Sequence, residues 1–525
     1  MSAERVTGFA TVLQRLDALA VRTASLAGWR RHALAAALGT LATLALPPTY
    51  LLPVLYVSFT GLVWLLPAGS SRLGAFSVGW WFGMGYFLSS LYWVGFAPAN
   101  YAAELWWIGP LWSLMLPLPL SIFHGAATLA ASRYGDGHLR RAIMLTLAWG
   151  ITEWLRGHIF TGLPWNMAGY GWVGSDALAQ TASVFGMYGV TVLAVGSASI
   201  LAAAANARTR IRVIAIGIAV LLPFTAWVGG AIRLAGAPAL GTDTVPNVGL
   251  RLVQANIPQN EKWNGRLIER NFALQQELSV RNRPNWVTDV IWPETAAVID
   301  LTNHSDWAQA AGAIAPAGGL LLTGTPRRQN SPRRIWNSMI AVDTKGNIAG
   351  SFDKFHLVPF GEYMPLGDIL PFDKITPGRL DFSAGPGPRA VKLPGLPPVG
   401  PLICYEAIFP GEVVDPHNRP DWLLNLTNDA WYGQTAGPHQ HLAITRMRAV
   451  EEGLPFVRSA NTGISAVFDA WGREVARLDL NEQGTLDVKL PRPTPKNTIY
   501  GNLNDVAFLL LILLVFLSLF RLPNN

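Results

Sequence analysis

Cysteine occurs once in the 525 residues, at Cys404. A single thiol excludes an intramolecular disulfide and a metal site assembled from several thiolates. Charge is also scarce, at 14% of residues, while half of the chain is hydrophobic. That balance is foreign to a soluble enzyme and ordinary in a membrane protein. Lysine is missing before Lys262, no serine stands in a Gly-x-Ser-x-Gly elbow, and no Gly-x-x-x-x-Gly-Lys phosphate loop occurs. His356, His439 and His441 match no zinc spacing such as His-Glu-x-x-His. Neither a metal nor a cofactor is expected. Residues 1–31 lack a short apolar core ending in a small-residue cleavage site, so they read as a cytoplasmic lead-in and not a cleaved signal.

What is there comes in apolar runs. They cover approximately His32–Leu46, Tyr50–Leu66, Ala75–Gly95, Leu105–Ala131, Ala142–Leu155, Ser183–Ala205 and Ile211–Gly229, with a last one at Val506–Phe520. Most approach the ~20 residues that a helix needs to cross the hydrocarbon core. The reading is a multi-pass α-helical bundle of about eight crossings. The 21 tryptophans suit it, because indole favours the lipid–water interface. Net charge is +7. Much of the excess lies in arginines between apolar runs, which points to membrane orientation and not to nucleic acid. Arg72, Arg133, Arg140, Arg141, Arg208, Arg210 and Arg212 fall in alternate loops, which belong on the cytoplasmic side. The division expected is 1–31 cytoplasmic, 32–229 transmembrane, 230–504 extracytoplasmic and 505–525 a returning helix.

The stretch 230–504 has another texture. Val248–Val253, Val287–Trp292, Leu320–Thr325, Ser338–Val342, Val399–Cys404, Trp422–Leu426 and Gly463–Phe468 read as strands bounded by Pro, Gly or Asn. Leu267–Val280 and His439–Glu452 have helical spacing, with Gly453 as a stop. This mixture predicts an α/β domain with sheet buried under helices. Ser383–Pro401, rich in Pro and Gly, reads as a long surface loop.

Cys404 ends an apolar strand in Pro401-Leu-Ile-Cys-Tyr-Glu406. Alone, a free cysteine is most often a small buried hydrophobe. Here it has company. Glu294 follows Trp292 and Pro293 at another strand end, where a carboxylate can serve as general base. Lys354 lies among aromatic and apolar residues, with Glu362 eight residues on as its partner or as a second acid. A nucleophilic thiol needs a base and a cation for the oxyanion that follows, and these residues supply both. Asn425–Asp429 reads as a turn after a strand. Glu153 and Arg156 can pair across one helical turn, and a polar pair at membrane depth is a weaker functional candidate.

These runs resemble the nitrilase superfamily, whose members use a Glu-Lys-Cys triad on an α-β-β-α sandwich. Within it the chain looks like the apolipoprotein N-acyltransferase family of Gram-negative bacteria. The resemblance rests on Trp292-Pro-Glu294, Lys354–Glu362, Ile403-Cys-Tyr-Glu406, Asn428-Asp-Ala-Trp-Tyr-Gly433, Asn256-Ile-Pro-Gln259 with Trp263, and Gly162-Leu-Pro-Trp165. It implies Glu294 as base, Lys354 as oxyanion-stabilising cation and Cys404 as nucleophile. Glu362, Tyr405, Glu406 and Trp263 would support them. It further implies a phospholipid acyl donor, expected to be phosphatidylethanolamine, and a diacylglyceryl apolipoprotein acceptor. The enzyme would be a monomer in the bacterial inner membrane with its catalytic domain on the periplasmic side. A membrane-anchored nitrilase-type amidase using the same triad is the alternative, and a catalytically dead scaffold is a third reading. Phe355, Phe360, Tyr363, Met364, Leu366, Ile369 and Leu370 could line the site, touch the membrane or fill the core.

Overall fold

A computed structural model of the chain describes residues 3–66, 71–101, 103–365 and 381–520. The chain divides into two compact units, one of residues 1–95, 107–235 and 503–525, the other of residues 96–106 and 236–502.

The first unit is helical. Helices occupy each of the eight apolar runs, and Ala3–Ala24 precedes them. Among the described residues three helical stretches are long and apolar enough to cross a membrane: Glu104–Tyr134, Ala182–Ala204 and Thr209–Ala235. Pro53–Trp64 and Asp505–Phe520 are apolar but shorter. Within the run Leu105–Ala131 a new helix starts at Pro117, where a missing N–H does no harm. Glycines set the spacing of the helix pair Gly28–Ala42 and Arg72–Ser90. A Cβ on Gly39 would lie 2.0 Å from the Phe82 carbonyl oxygen, and one on Gly85 would lie 2.0 Å from that of Ala36. Small residues on both helices let the two backbones meet, the usual means of helix association in lipid.

Among the described residues the second unit holds twelve strands: β1 (Thr244–Gln254), β2 (Asp289–Ile291), β3 (Leu321–Asn330), β4 (Arg333–Val342), β5 (Ile348–Asp353), β6 (Val391–Leu393), β7 (Leu396–Ile403), β8 (Trp422–Thr427), β9 (Phe456–Ala460), β10 (Ser465–Phe468), β11 (Glu474–Leu478) and β12 (Gly484–Pro491). They form two six-stranded sheets, ordered β12-β1-β2-β3-β4-β5 and β11-β10-β9-β8-β7-β6. Side-chain alternation shows how the layers stack. Leu250, Leu252, Leu322, Met339 and Ala341 of the first sheet share a buried core with Val399, Ile403, Leu424, Leu426 and Val457 of the second. Their neighbours Val253, Leu321, Ile340 and Val342 point the other way, against Phe272 and Leu278 of helix Ile268–Val280 and Ala308 and Ala311 of helix Ser305–Gly312. Leu402, Leu423, Phe456 and Ala466 pack on Leu442 and Ala449 of helix Ala436–Glu452. The result is an α-β-β-α sandwich. The predicted stop of that last helix is Gly453, at φ +66°, a conformation glycine adopts without strain.

The surface loop expected over Ser383–Pro401 is found over residues 383–390, which form neither helix nor strand, and is corrected beyond them. Residues 391–393 and 396–403 are strands β6 and β7, joined through Gly395 at φ +76°. Val391 pairs with Val399. Pro394 and Gly395 form the tight turn between the two strands, which composition alone misreads as loop.

Strand directions then fix where chemistry can happen. β1, β2 and β3 are parallel, and β4 runs antiparallel to both β3 and β5. β5 therefore points the same way as β2, and their carboxyl ends share one edge. β7, β8 and β9 are likewise parallel.

Leu at Gly39 forces the first pair of helices apart, and overpacking of this kind typically costs about 1–3 kcal/mol. Gly39→Leu is expected to lower the thermal midpoint of the detergent-solubilised protein. Gly217→Leu, at a glycine with nothing within 4 Å, is expected to leave it unchanged.

Candidate active site

Three residues in left-handed conformation mark the strand ends. Asn256 follows β1 at φ +51°, Thr295 follows Glu294 beyond β2 at φ +45°, and Cys404 follows β7 at φ +52°. Such values are uncommon for residues other than glycine and lie at functional turns more often than elsewhere. The turn after β2 is held from behind by Gly324 on β3. A Cβ there would stand 2.3 Å from the Thr295 nitrogen and 2.7 Å from the Glu294 Cα.

Lys354 follows β5. Asp353 fixes that strand end through a bidentate pair with Arg327, at 2.9 and 2.7 Å, and a 2.6 Å bond from Ser338. The Lys354 ammonium is 1% exposed and lies 2.8 Å from Glu362 Oε2 and 3.9 Å from Glu294 Oε1. Burial opposes its charge, but Glu362, Glu294 and Cys404 together push its pKa up. Burial raises the Glu294 carboxyl above the usual range, Lys354 pulls it down, and Glu362 pushes it up again. The Cys404 thiol is pushed up to about 12 by burial and by Glu294, against Lys354. At rest it therefore keeps its proton.

Glu406 joins the two strand ends. Its Oε1 accepts from the main-chain nitrogens of Phe355 at 2.5 Å and His356 at 3.1 Å, and its Oε2 from that of Ile403 at 2.6 Å. Burial pushes its carboxyl up to about 8 while those three N–H groups pull it back. Tyr405 packs edge-on against Phe409, with ring centroids 5.1 Å apart. Trp263 ends the short helix Gln259–Lys262 and is half-buried. Phe355, Phe360, Tyr363 and Met364 are half-buried as well, and Leu366, Ile369 and Leu370 lie outside the described residues.

A buried network stands behind Cys404. Asn425 Nδ2 donates to the Cys404 carbonyl at 3.3 Å, and His441 Nε2 lies 3.3 Å from the same oxygen. A carbonyl only accepts, so Nε2 carries the hydrogen. Arg458 donates to Asn425 Oδ1 at 2.7 Å and to Asp429 Oδ2 at 2.6 Å, and Asp429 Oδ1 lies 2.9 Å from His441 Nδ1. Burial works against the Asp429 charge, but Arg458 and His441 outweigh it and hold the carboxyl down at about 2. The turn expected over Asn425–Asp429 is corrected, since residues 425–427 are the end of β8, and this segment is part of the site's framework. The loop Asn256–Gln259 is tied to it, with Asn428 Nδ2 donating to Gln259 Oε1 at 2.7 Å.

Glu294, Lys354, Glu362 and Cys404 therefore form one electrostatic cluster at the carboxyl ends of β2, β5 and β7. It contains a thiol, a carboxylate able to take its proton, and an ammonium able to face an oxyanion.

Sequence comparison agrees with this architecture. Residues 270–500 match the family model described as carbon-nitrogen hydrolase, and residues 38–200 match that of the apolipoprotein N-acyltransferase N-terminal domain. A Rhodopseudomonas palustris protein named apolipoprotein N-acyltransferase is 40% identical over 513 residues, covering 93% of this chain and 94% of its own length. The chain belongs to the apolipoprotein N-acyltransferase family. An Allorhizobium ampelinum member of the family is 42% identical, covering 89% of this chain and 91% of its own. A solved amidase from Nesterenkonia sp. is 18% identical, covering 48% of this chain and 93% of that chain, with a TM-score of 0.35.

For this family member, sequence reasoning missed two residues at the cluster. Asn337 on β4 donates to Glu294 Oε1 at 2.8 Å and to Glu362 Oε1 at 3.1 Å, bridging both carboxylates. Lys262 is 4% exposed and donates from Nζ to the Glu294 main-chain oxygen at 2.8 Å. Neither stands in a local pattern that signals it. In the helical unit, the Glu153–Arg156 pair is joined by His124, whose Nε2 lies 3.0 Å from Glu153 Oε1. Arg156 also donates to the carbonyls of Leu163 and Trp165, pinning the loop 162–165.

The Asn337 bond lowers the Glu294 pKa. A base works in its ionised form, so raising its pKa moves the acid limb of activity upward. Asn337→Leu is expected to shift that limb to higher pH by roughly one unit, the worth of one hydrogen bond to a charged group. A pH–rate profile with an unmoved acid limb rejects the bridging role.

Proposed function

We propose that the chain transfers a fatty acyl group from a membrane phospholipid, through a thioester on Cys404, to the α-amino group of an N-terminal S-diacylglyceryl-cysteine on an apolipoprotein. The observation that carries this reading is the meeting of the only thiol with the Glu294–Lys354–Glu362 cluster, in a family named for that activity.

In the first half-reaction Glu294 takes the Cys404 proton as sulfur attacks the ester carbon. The oxyanion is held by Lys354 and by the main-chain N–H of Tyr405. Its collapse breaks the bond to the glycerol oxygen, which recovers the proton from Glu294 and leaves as lysophospholipid. In the second, the neutral amine attacks the thioester, the C–S bond breaks, and Glu294 carries the amine proton to sulfur. Burial suits Glu294 to the task, because a raised carboxyl is a stronger base. Glu362 keeps Lys354 charged, and Glu406 locks the Lys354 loop to the Cys404 turn. Tyr405 and Trp263 line the approach.

The helices belong to the same reading. Each acyl CH₂ exposed to water costs about 0.8 kcal/mol, so neither substrate readily leaves the bilayer and the thiol has to work at its surface. We place residues 32–229 and 505–525 as a multi-pass bundle of the bacterial inner membrane, with 1–31 cytoplasmic and 230–504 periplasmic. Phosphatidylethanolamine is the donor, and a monomer suffices because one chain supplies every site residue.

Incubation with phospholipid alone is expected to add one acyl mass at Cys404 and release about one lysophospholipid per enzyme in a burst. Steady release of free fatty acid instead would favour the hydrolase. Cys404→Ala is expected to abolish both half-reactions, and Glu294→Gln to slow them about 10²–10⁴-fold; near-normal turnover in Glu294→Gln rejects its role. Topology reporters fused at Ala237 and Arg208 are expected to give opposite sidedness, and agreement between them overturns the orientation.

A further inference from the structure

Lys262 is a second buried ammonium at the cluster, on an element separate from Lys354. It ends the helix Gln259–Lys262, and its Nζ donates to the main-chain oxygen of Glu294. That oxygen belongs to the turn strained by Thr295 and backed by Gly324. Its loop is held to the framework behind Cys404, since Gln259 binds Asn428 and the main chain of Asn256 and Ile257 binds Asn461. The polar residues of helix Ile268–Val280 that share a small cavity with Lys262 are the neutral Asn271 and Gln275. The charged groups of the site that face it are Glu294 after β2 and Cys404 after β7.

Lys354 is already committed to Glu362 at 2.8 Å, so the carboxylate neutralises much of its charge. Lys262 hydrogen-bonds a main-chain carbonyl, which is neutral. Its charge is therefore less compensated, and the site groups it couples to are the Glu294 carboxylate and the Cys404 sulfur, in a buried medium of low dielectric.

We propose that Lys262 is a positioning residue with an electrostatic part: it fixes the Glu294 turn and supplies the second positive charge that favours the Cys404 thiolate and the oxyanion formed from it. The catalytic half of this inference rests on the acyl-transfer reading; the coupling to the thiol does not. Burial, opposed by Glu294 and Cys404, holds the Lys262 ammonium down at about 8. The sign follows directly. Below pH 8 Lys262 is charged and assists ionisation of the thiol. Above it the assistance fades.

The test is the rate of Cys404 alkylation by iodoacetamide across pH 6–10 in the full-length detergent-solubilised protein, where no other thiol reacts. In wild type the logarithm of the rate is expected to rise with pH and to bend downward in slope near 8. Lys262→Gln keeps a donor for the Glu294 carbonyl but carries no charge. It is expected to slow alkylation about ten-fold at pH 7, one pKa unit for the thiol, and to remove the bend. Lys262→Arg keeps the charge at every pH and is expected to restore the rate without the bend. A wild-type rate and bend in Lys262→Gln overturn the proposal, whatever Lys262→Arg does. Acyl-enzyme formation from phospholipid is then followed in the same proteins. Wild type that alkylates as expected yet forms no thioester overturns the acyl-transfer reading and leaves the Lys262–Cys404 coupling standing. Wild-type thioester formation with an unchanged rate in Lys262→Gln overturns the catalytic half of this proposal alone.

Discussion

A full positive charge on Lys354 is buried to 1% exposure, and the site is built around making that tolerable. Isolated in a protein interior, an ammonium costs several kcal/mol of lost hydration. Glu362 compensates at 2.8 Å, Glu294 lies at 3.9 Å, and Asn337 supplies the donor both carboxylates need. Two carboxylates facing one lysine are in turn unequal. Glu362 is the direct ion-pair partner, while Glu294 stands farther off and is raised by burial. Distance sets the two acids apart: Glu362 pairs directly with the cation, and Glu294 does not.

Cys404 is held by a different logic. The sulfur is left to the cluster, and the main chain is gripped from behind by Asn425 and His441 at one carbonyl oxygen. That grip has to outweigh a left-handed residue, whose cost is of order 1–3 kcal/mol. The Asp429–Arg458 pair behind it is 0% exposed on both sides. Breaking such a pair leaves an uncompensated charge, so the framework behaves as one rigid unit and the thiol inherits its position from it.

The two units are held together differently. In the helical unit, Gly39 and Gly85 let two helix backbones touch. In the second unit the drive is the shared core of two sheets, in which the central strands feed two layers by alternation. Glu294, Lys354 and Cys404 each follow the carboxyl end of a strand, two of them central and one, β5, at a sheet edge.

The sequence by itself determined whatever rests on local pattern. Seven strands were legible because buried central strands are apolar runs closed by Pro, Gly or Asn. Glu294 and Cys404 were legible because each directly follows such a run. The strands β5, β6, β11 and β12 lie at sheet edges, contain exposed or partly exposed residues, and gave no run to read; the central, fully buried β9 was missed as well, because Arg458 and Ser459 interrupt its short apolar run. The hairpin of β6 and β7 was misread because its turn residues outweigh its short strands. Only the tertiary structure decided that β5 points with β2, which brings Lys354 to Glu294, sixty positions apart in sequence. It alone decided that Asn337, Lys262, Asn425 and Arg458 belong to the site. Their spacing along the chain carries no signal, because strand pairing is non-local: a residue's partner is set by sheet order and register, and neither is written in the neighbouring sequence.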